Sequence, residues 1–364
     1  MNGGRRGSGP ALAGAVLLAP VLLLAGCGDS GTEVGPHDVG GVDLDALFAP
    51  PTAAELAAVE GEWAARTPAA RDVRVERTAS VSLGGSPATL RVLSHEVDGA
   101  RHYGAVAAPD GVDDGALPVL VYAHGGDGGV DVSELLLLAF ALGERADDFV
   151  FVVPSFRSES LRLGDETFLS EGAPSPWDRD VDDALALLDA ALGATPAADP
   201  TRIAVLGASR GGGVALLMGV RDARIDRVVD LFGPTDFFGP YVQGIVERAL
   251  RGSPPDLPGV TYLDQAYIQP LALGTVDVAT ARRELIRRSA ALFVSRLPSV
   301  QIHHGTADDV VDVGQAERLI AALEAAGRGP PDDEWFLYTG GRHDPLSLPG
   351  SFDRIDAFLA RLGG

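Results

Sequence analysis

The sequence predicts an α/β chain built on a mostly parallel, doubly wound sheet with an antiparallel start, and three observations carry that expectation. From Leu117 onward, short and fully apolar runs alternate with longer helical stretches. Runs without polar alternation are strands buried on both faces, as in a parallel sheet covered by helices. Before Leu117, the segments 72–83, 89–97 and 101–108 do alternate, and Gly-Gly and Asp-Gly breaks separate them, which is the pattern of antiparallel hairpins. With 364 residues the chain can hold one large domain of this kind or two small ones.

Taken in order, a helix is expected over 52–66, then the three alternating strands. The buried strands are VLVYA (119–123), FVFVV (149–153), RIAVLG (202–207), RVVDLF (227–232), VQIHH (300–304) and EWFLY (334–338). Helical stretches lie between and after them at Ser133–Arg145, Asp178–Leu192, Gly212–Val220, Val313–Ala326 and Phe352–Leu362. Such alternation winds a sheet with helices on both faces, and ligands then bind at the carboxyl ends of its strands. Residues 234–298 exceed what one crossover needs. They form a candidate cap, and Phe237, Phe238, Tyr241, Tyr262 and Tyr267 suit an apolar entrance.

Composition narrows the function. Apolar residues make up 46% and charged residues 22%, at a net charge of −22, and every basic residue is arginine. A chain with no basic face is a poor partner for phosphates, so nucleic-acid binding is excluded. The single cysteine, Cys27, rules out an intrachain disulfide and sits far from any catalytic context. It ends a leader in which Arg5 and Arg6 precede an apolar run from Ala11 to Ala25, too short to span a bilayer comfortably. The run closes on Leu24-Ala25-Gly26-Cys27, which resembles the lipobox of bacterial lipoproteins. The resemblance implies a signal peptide over 1–26, lipidation of Cys27, export, and a membrane anchor on the extracytoplasmic side. Residues 27–51 are then expected as a flexible tether, with the catalytic domain over 52–364.

The chemistry enters at residue 207. The strand at 202–206 runs into Gly207-Ala208-Ser209-Arg210-Gly211 and then into a helix. This is G-x-S-x-G in its strand–turn–helix setting, the nucleophile elbow of the α/β-hydrolase fold. Its glycines leave room for strand and helix to approach around a strained serine. A phosphate loop is excluded because the run lacks Gly-Lys-Ser/Thr. The elbow demands the order Ser, acid, His. Of the seven histidines only His343 follows the candidate acids after residue 305, in a loop just past the last strand. Asp308 and Asp309 are both eligible to orient it. The oxyanion hole needs the amide of Arg210 and a second one from the loop His124-Gly125-Gly126-Asp127-Gly128-Gly129, supplied by either Gly125 or Gly126. His124, His303 and His304 read as packing residues. No metal cluster and no cofactor is implied.

Together YAHGG, GASRGG, HGTADDVV and GGRHD resemble the catalytic domain of the prolyl oligopeptidase family and its esterase, dienelactone-hydrolase-like relatives, over about residues 85–364. The pattern H-G-x-x-D-x-x-V, matched from His304 to Val311, implies Asp308 rather than Asp309 as the acid. The segments Pro154-Ser155-Phe156-Arg157 and Gly233-Pro234-Thr235-Asp236 are also similar to that family, with Arg157 and Asp236 as structural partners near the site. The stretch between Cys27 and the sheet is far too short for the β-propeller of the family's peptidases. Arg210 stands where those peptidases frequently carry an aromatic. The expected activity is therefore hydrolysis of a carboxylic ester by Ser209, His343 and Asp308. Peptide or amide hydrolysis on short peptides is the second reading, and a catalytically silent binding lipoprotein the third. The expected partners are a small ester or short peptide and a membrane lipid.

Overall fold

The alternating segments and the apolar runs join a single sheet of nine strands. In the computed structural model, which describes residues 37–66 and 68–362, these are β1 (Arg71–Leu83), β2 (Ser86–Val97), β3 (Ala100–Pro109), β4 (Leu117–Ala123), β5 (Val150–Pro154), β6 (Ala198–Ala208), β7 (Ile225–Leu231), β8 (Ser299–Gly305) and β9 (Glu334–Tyr338). Their order is β9-β8-β7-β6-β4-β5-β3-β2-β1. β1, β2 and β3 form an antiparallel meander, β3 pairs antiparallel with β5, and every pairing from β5 to β9 is parallel. The chain leaves β4 toward β5 on one side and returns to β6 on the other. That reversal opens a crevice at the carboxyl ends of β4 and β6, where ligands of such sheets bind.

The period of two along each strand sends alternate residues to opposite faces. Val119, Val121, Ile203 and Val205 enter one buried cluster, whereas Leu120, Ala204 and Leu206 enter the other. Helices α2 (Val132–Leu142) and α8 (Ser351–Leu359) cover the second cluster. The first is covered by α3 (Asp178–Ala194), α4 (Arg210–Arg221) and α7 (Gly314–Ala325), together with α1 (Ala53–Ala65) and two helices of the 234–298 region, α5 (Pro240–Leu250) and α6 (Val278–Ile286).

The first turns of α3 carry four buried aspartates, held by four arginines from three other elements. Arg66 forks onto Asp178 at 2.7 and 3.2 Å, Arg210 onto Asp180 at 2.9 Å through two nitrogens, Arg157 onto Asp183 at 3.0 and 2.5 Å, and Arg221 pairs with Asp182. Carboxylates at a helix start are favoured by its dipole, and bidentate guanidinium bonds offset part of their desolvation. α3 is thus a hub that fixes α1, α4 and the loop after β5 relative to one another.

The tether expected over 27–51 does not extend to its second half. Val39, Val42, Leu44 and Leu47 are buried in the first cluster. Arg282 of α6 donates to the carbonyls of Ala46, Leu47 and Ala49 and to the Glu55 carboxylate. Those apolar positions are too sparse to form a periodic pattern of their own, which is why they read as linker. Residues 27–36, the leader and Cys27 lie outside the described residues. α1 opens on a capping box between Thr52 and Glu55, a device whose removal costs about 1 kcal/mol.

Candidate active site

Ser209 sits at the end of β6 with φ 55° and ψ −125°, a strained conformation for a residue with a Cβ. Such outliers cost about 1–3 kcal/mol and persist where the surroundings over-determine them. Here they do: Ser209 N–H donates to Leu231 O at 2.9 Å and Gly212 N–H to Ser209 O at 2.8 Å. The flanking glycines are required by contact. A Cβ on Gly207 would lie 2.0 Å from Gly211 O, and one on Gly211 would lie 1.9 Å from Ala123 O. The side chain of Ser209 starts at the N-terminus of α4, where a developing negative charge is favoured. Among the described residues its hydroxyl has no hydrogen-bond partner.

His343 and Asp308 come from the loops after β9 and β8. His343 Nδ1 donates to Asp308 Oδ2 at 2.7 Å, since a carboxylate oxygen at that distance requires the proton on the nitrogen. Asp308 Oδ1 accepts from the amides of Val310 and Val311, both at 2.9 Å. Burial alone would push the Asp308 carboxyl up. The bonds from His304, His343, Val310 and Val311 outweigh it and hold the group below the ordinary carboxylate range. Asp309 instead is exposed and pairs with Arg342 at 3.3 Å. Phe232, another non-glycine residue with positive φ (45°), packs its ring 4.4 Å from the His343 imidazole. Because Phe232 follows Leu231, the residue that accepts from Ser209 N–H, the histidine and the serine are brought to the same crevice.

The loop after β4 lies on the other side of Ser209. A Cβ on Gly125 would sit 3.2 Å from Ser209 Cβ, so the glycine backbone approaches the serine closely. Arg210, whose amide was expected to face the oxyanion, has a side chain that does different work. It is 2% exposed, forks onto Asp180, and donates through Nη1 to both Glu159 Oε1 (2.5 Å) and Gly126 O (3.0 Å). Its guanidinium lies over Phe156 at 5.1 Å, and the His124 ring stacks on the same phenyl at 4.4 Å.

The other histidines near the site are structural. His303 is held between Tyr338 OH (2.7 Å) and Gln301 Oε1 (2.9 Å). His304, on the opposite face, donates from Nε2 to Val311 O at 2.9 Å and lies 3.4 Å from Asp308 Oδ2. Asp236 pairs with Arg318 of α7, and Arg157 with Asp183, both as structural partners. Among the described residues no group of three or more His, Cys, Asp or Glu is placed to hold a metal ion.

Residues 234–298 fold as a set of helices and contribute most of the lining of a narrow cavity that also includes Ser209 and is partly open to solvent. Its lining includes Ser209 and Arg210, Tyr241, Val242, Ile245, Val246 and Ala249 of α5, Val260, Leu263 and Ile268, and Trp177. Tyr241 contributes its ring while its hydroxyl is satisfied by Val310 O at 2.5 Å. Trp177, Phe232 and Glu159 escaped the sequence reading. None carries a motif, and a lone glutamate or aromatic in a loop gives no signal until the fold places it.

No family model and no curated protein matches the sequence. Solved structures do match. An acetyl xylan esterase from Paenibacillus sp. R4 superposes over 88% of this chain and 95% of its own, at 17% identity and TM-score 0.56. Acetyl xylan esterase 1 from Thermoanaerobacterium sp. JW/SL YS485 does so over 85% and 93%, at 17% and 0.51. A puromycin-hydrolyzing peptidase of Mycobacterium tuberculosis matches over 79% of this chain and 39% of its own, at 20% and 0.54. The fold is the α/β-hydrolase fold. At these identities the likeness speaks to architecture, and the chemistry has to be argued from the side chains of this chain.

Proposed function

We propose that this protein is a serine hydrolase that cleaves carboxylic esters through Ser209, His343 and Asp308. The observations that carry the reading are the His343–Asp308 bond of 2.7 Å and a serine on a strained elbow at the head of α4. With Nδ1–H committed to Asp308, Nε2 keeps its lone pair and is free to take the Ser209 proton. Ser209 Oγ then attacks the acyl carbonyl, and the oxyanion is received by the Arg210 amide at the start of α4 and an amide of the Gly125–Gly126 loop. His343 passes its proton to the leaving oxygen, and water, activated by the same base, releases the acid. Asp308 stays ionised throughout, in keeping with the bonds that stabilise its charge.

Two observations favour an ester over a peptide. The cavity beside Ser209 is walled mostly by apolar side chains, with Asp264, bonded to the Gln269 amide at 2.8 Å, as the one carboxylate in its lining. The chain also superposes on nearly the whole of an acetyl xylan esterase but on 39% of the peptidase.

The test is labelling of the full chain by a fluorophosphonate probe, with Ser209→Ala alongside, followed by kinetics on acyl esters and aminoacyl amides. Labelling of the first protein alone, and a loss of about 10⁴–10⁶ in kcat for the variant, is expected. Full activity in Ser209→Ala would overturn the assignment, and faster turnover of the amides would move the reading to a peptidase. The leader adds a cellular expectation: export and lipid anchoring through Cys27. Cys27→Ser should abolish metabolic labelling by a fatty-acid probe and move the protein out of the membrane fraction.

A further inference from the structure

Glu159, in the loop after β5, is buried and stands at the head of two arms that end on successive carbonyls of the glycine loop. Through Oε1 it accepts from Arg210 Nη1, which also donates to Gly126 O at 3.0 Å. Its Oε2 faces His124 Nε2 at 3.7 Å, and the Nδ1 of that ring lies 2.9 Å from Gly125 O. A carbonyl oxygen can only accept, so Nδ1 carries the imidazole proton and Nε2 of the neutral ring presents a lone pair. An ionised Glu159 would meet it with a second lone pair. Among the described residues neither atom has a hydrogen-bond partner. Two buried acceptors left face to face are costly, and a single proton between them removes the cost.

We propose that Glu159 and His124 share one proton, and that this protonated pair is the positioning device of the oxyanion loop. The inference rests on the hydrolytic reading above. Because the peptide unit is planar and trans, fixing Gly125 C=O against His124 turns the Gly126 N–H the opposite way. The clamp therefore selects Gly126 as the amide it orients.

The surroundings agree. Burial pushes the Glu159 carboxyl up to about 7 against the pull of Arg210, and the nearby carboxylates of Asp180 in α3 and Asp127 in the loop push the same way. Burial drives His124 down to about 3, with its bond to Gly125 O acting the other way and the charges of Arg210 and of Arg162, on the strand after Glu159, adding to the fall. The proton thus resides on the carboxyl below neutrality and is lost as pH rises through about 7.

The test compares full-length wild type, Glu159→Gln and Glu159→Ala in steady-state hydrolysis of a p-nitrophenyl ester from neutral into alkaline pH. A glutamine accepts from Arg210 with its oxygen and donates permanently to His124 Nε2 with its amide. We expect Glu159→Ala to lose about tenfold to a hundredfold in kcat with little change in KM, the cost of a misplaced oxyanion donor. Glu159→Gln should recover most of that loss and should lack the alkaline fall in kcat shown by wild type. If Glu159→Gln is as impaired as Glu159→Ala, or keeps the alkaline fall, the shared proton is refuted. Glutamine conserves the shape of the clamp, so this comparison stands even if the alanine protein does not fold. Ser209→Ala in the same assay separates the two failures: activity there refutes the hydrolytic reading itself, whereas its loss together with an unchanged alkaline fall in Glu159→Gln refutes only the clamp.

Discussion

Asp308 and Glu159 are two buried carboxylates on opposite sides of Ser209, and their surroundings drive them in opposite directions. Burial acts to raise both. Asp308 has His343, two backbone amides and the nearby His304 to stabilise its charge, and it stays ionised below the usual range. Glu159 has one guanidinium, which it shares with Asp180 and with a carbonyl, and it is pushed up to about 7. For these two groups, the balance between burial and the donors aimed at the carboxylate sets the direction of the shift. In the proposed mechanism, a charge on the base side has to steady an imidazolium that forms and decays in each turnover. On the oxyanion side a neutral, shape-holding group is sufficient.

The largest expected effect tests the base side. Asp308→Asn keeps the shape but can donate to His343, forcing the wrong tautomer, and should lower kcat by about 10⁴. A loss below tenfold would break the comparison, because Asp308 would then be no more than a spacer. Next comes the residue that joins Glu159 to α3. Arg210→Met leaves Asp180 and Glu159 buried without their partner and should reduce unfolding free energy by about 3–5 kcal/mol in a denaturant titration. A neutral result would mean that the aspartate hub holds without it.

A smaller effect separates the two carboxylates by pH. The folded-state pKa of Glu159 lies above its ordinary value of 4.5, at about 7. Its contribution is therefore fully present below 4.5 and is lost as pH rises through 7. Glu159→Gln, which mimics the protonated form, should match wild type in acid and exceed it in stability above neutrality, by up to about 3 kcal/mol from the size of the shift. Asp308 has the opposite sign: its folded pKa is depressed, so its contribution is present above the ordinary carboxylate range and is lost as acid protonates it. The smallest effect concerns the aromatic supports. Phe232 under His343 and Phe156 under His124 are counterparts across the serine. Phe232→Leu should cost about 1 kcal/mol of alignment, less than tenfold in kcat, with fluorophosphonate labelling retained.

Much of the frame was legible because it depends on local periodicity. Each of the nine sheet strands lies within a few residues of its expected place, the first three marked by alternation and the other six by apolar runs, although β1 is mostly exposed and the edge strand β9 only partly buried. The elbow was legible for a steric reason that contact confirms at Gly207 and Gly211. Between Asp308 and Asp309 the residues alone left a choice, which the family-like pattern resolved toward Asp308, the one that accepts from His343. The packing of residues 38–51 was not legible, because its anchor, Arg282, lies more than two hundred positions away along the chain.

By itself, the sequence determined the sheet, the elbow and the residue types available for acid, base and nucleophile, because these follow from spacing along one chain. Only the tertiary structure decided which partners the Arg210 side chain takes, which side chains meet Glu159 and His124, and which residues line the cavity beside Ser209. Those are contacts between β4, β5, α3 and α4, separated by dozens of residues, and burial there sets the cost of every unpaired charge. Where a proton rests in such a network depends on the geometry of all its donors at once, and no stretch of sequence contains that geometry.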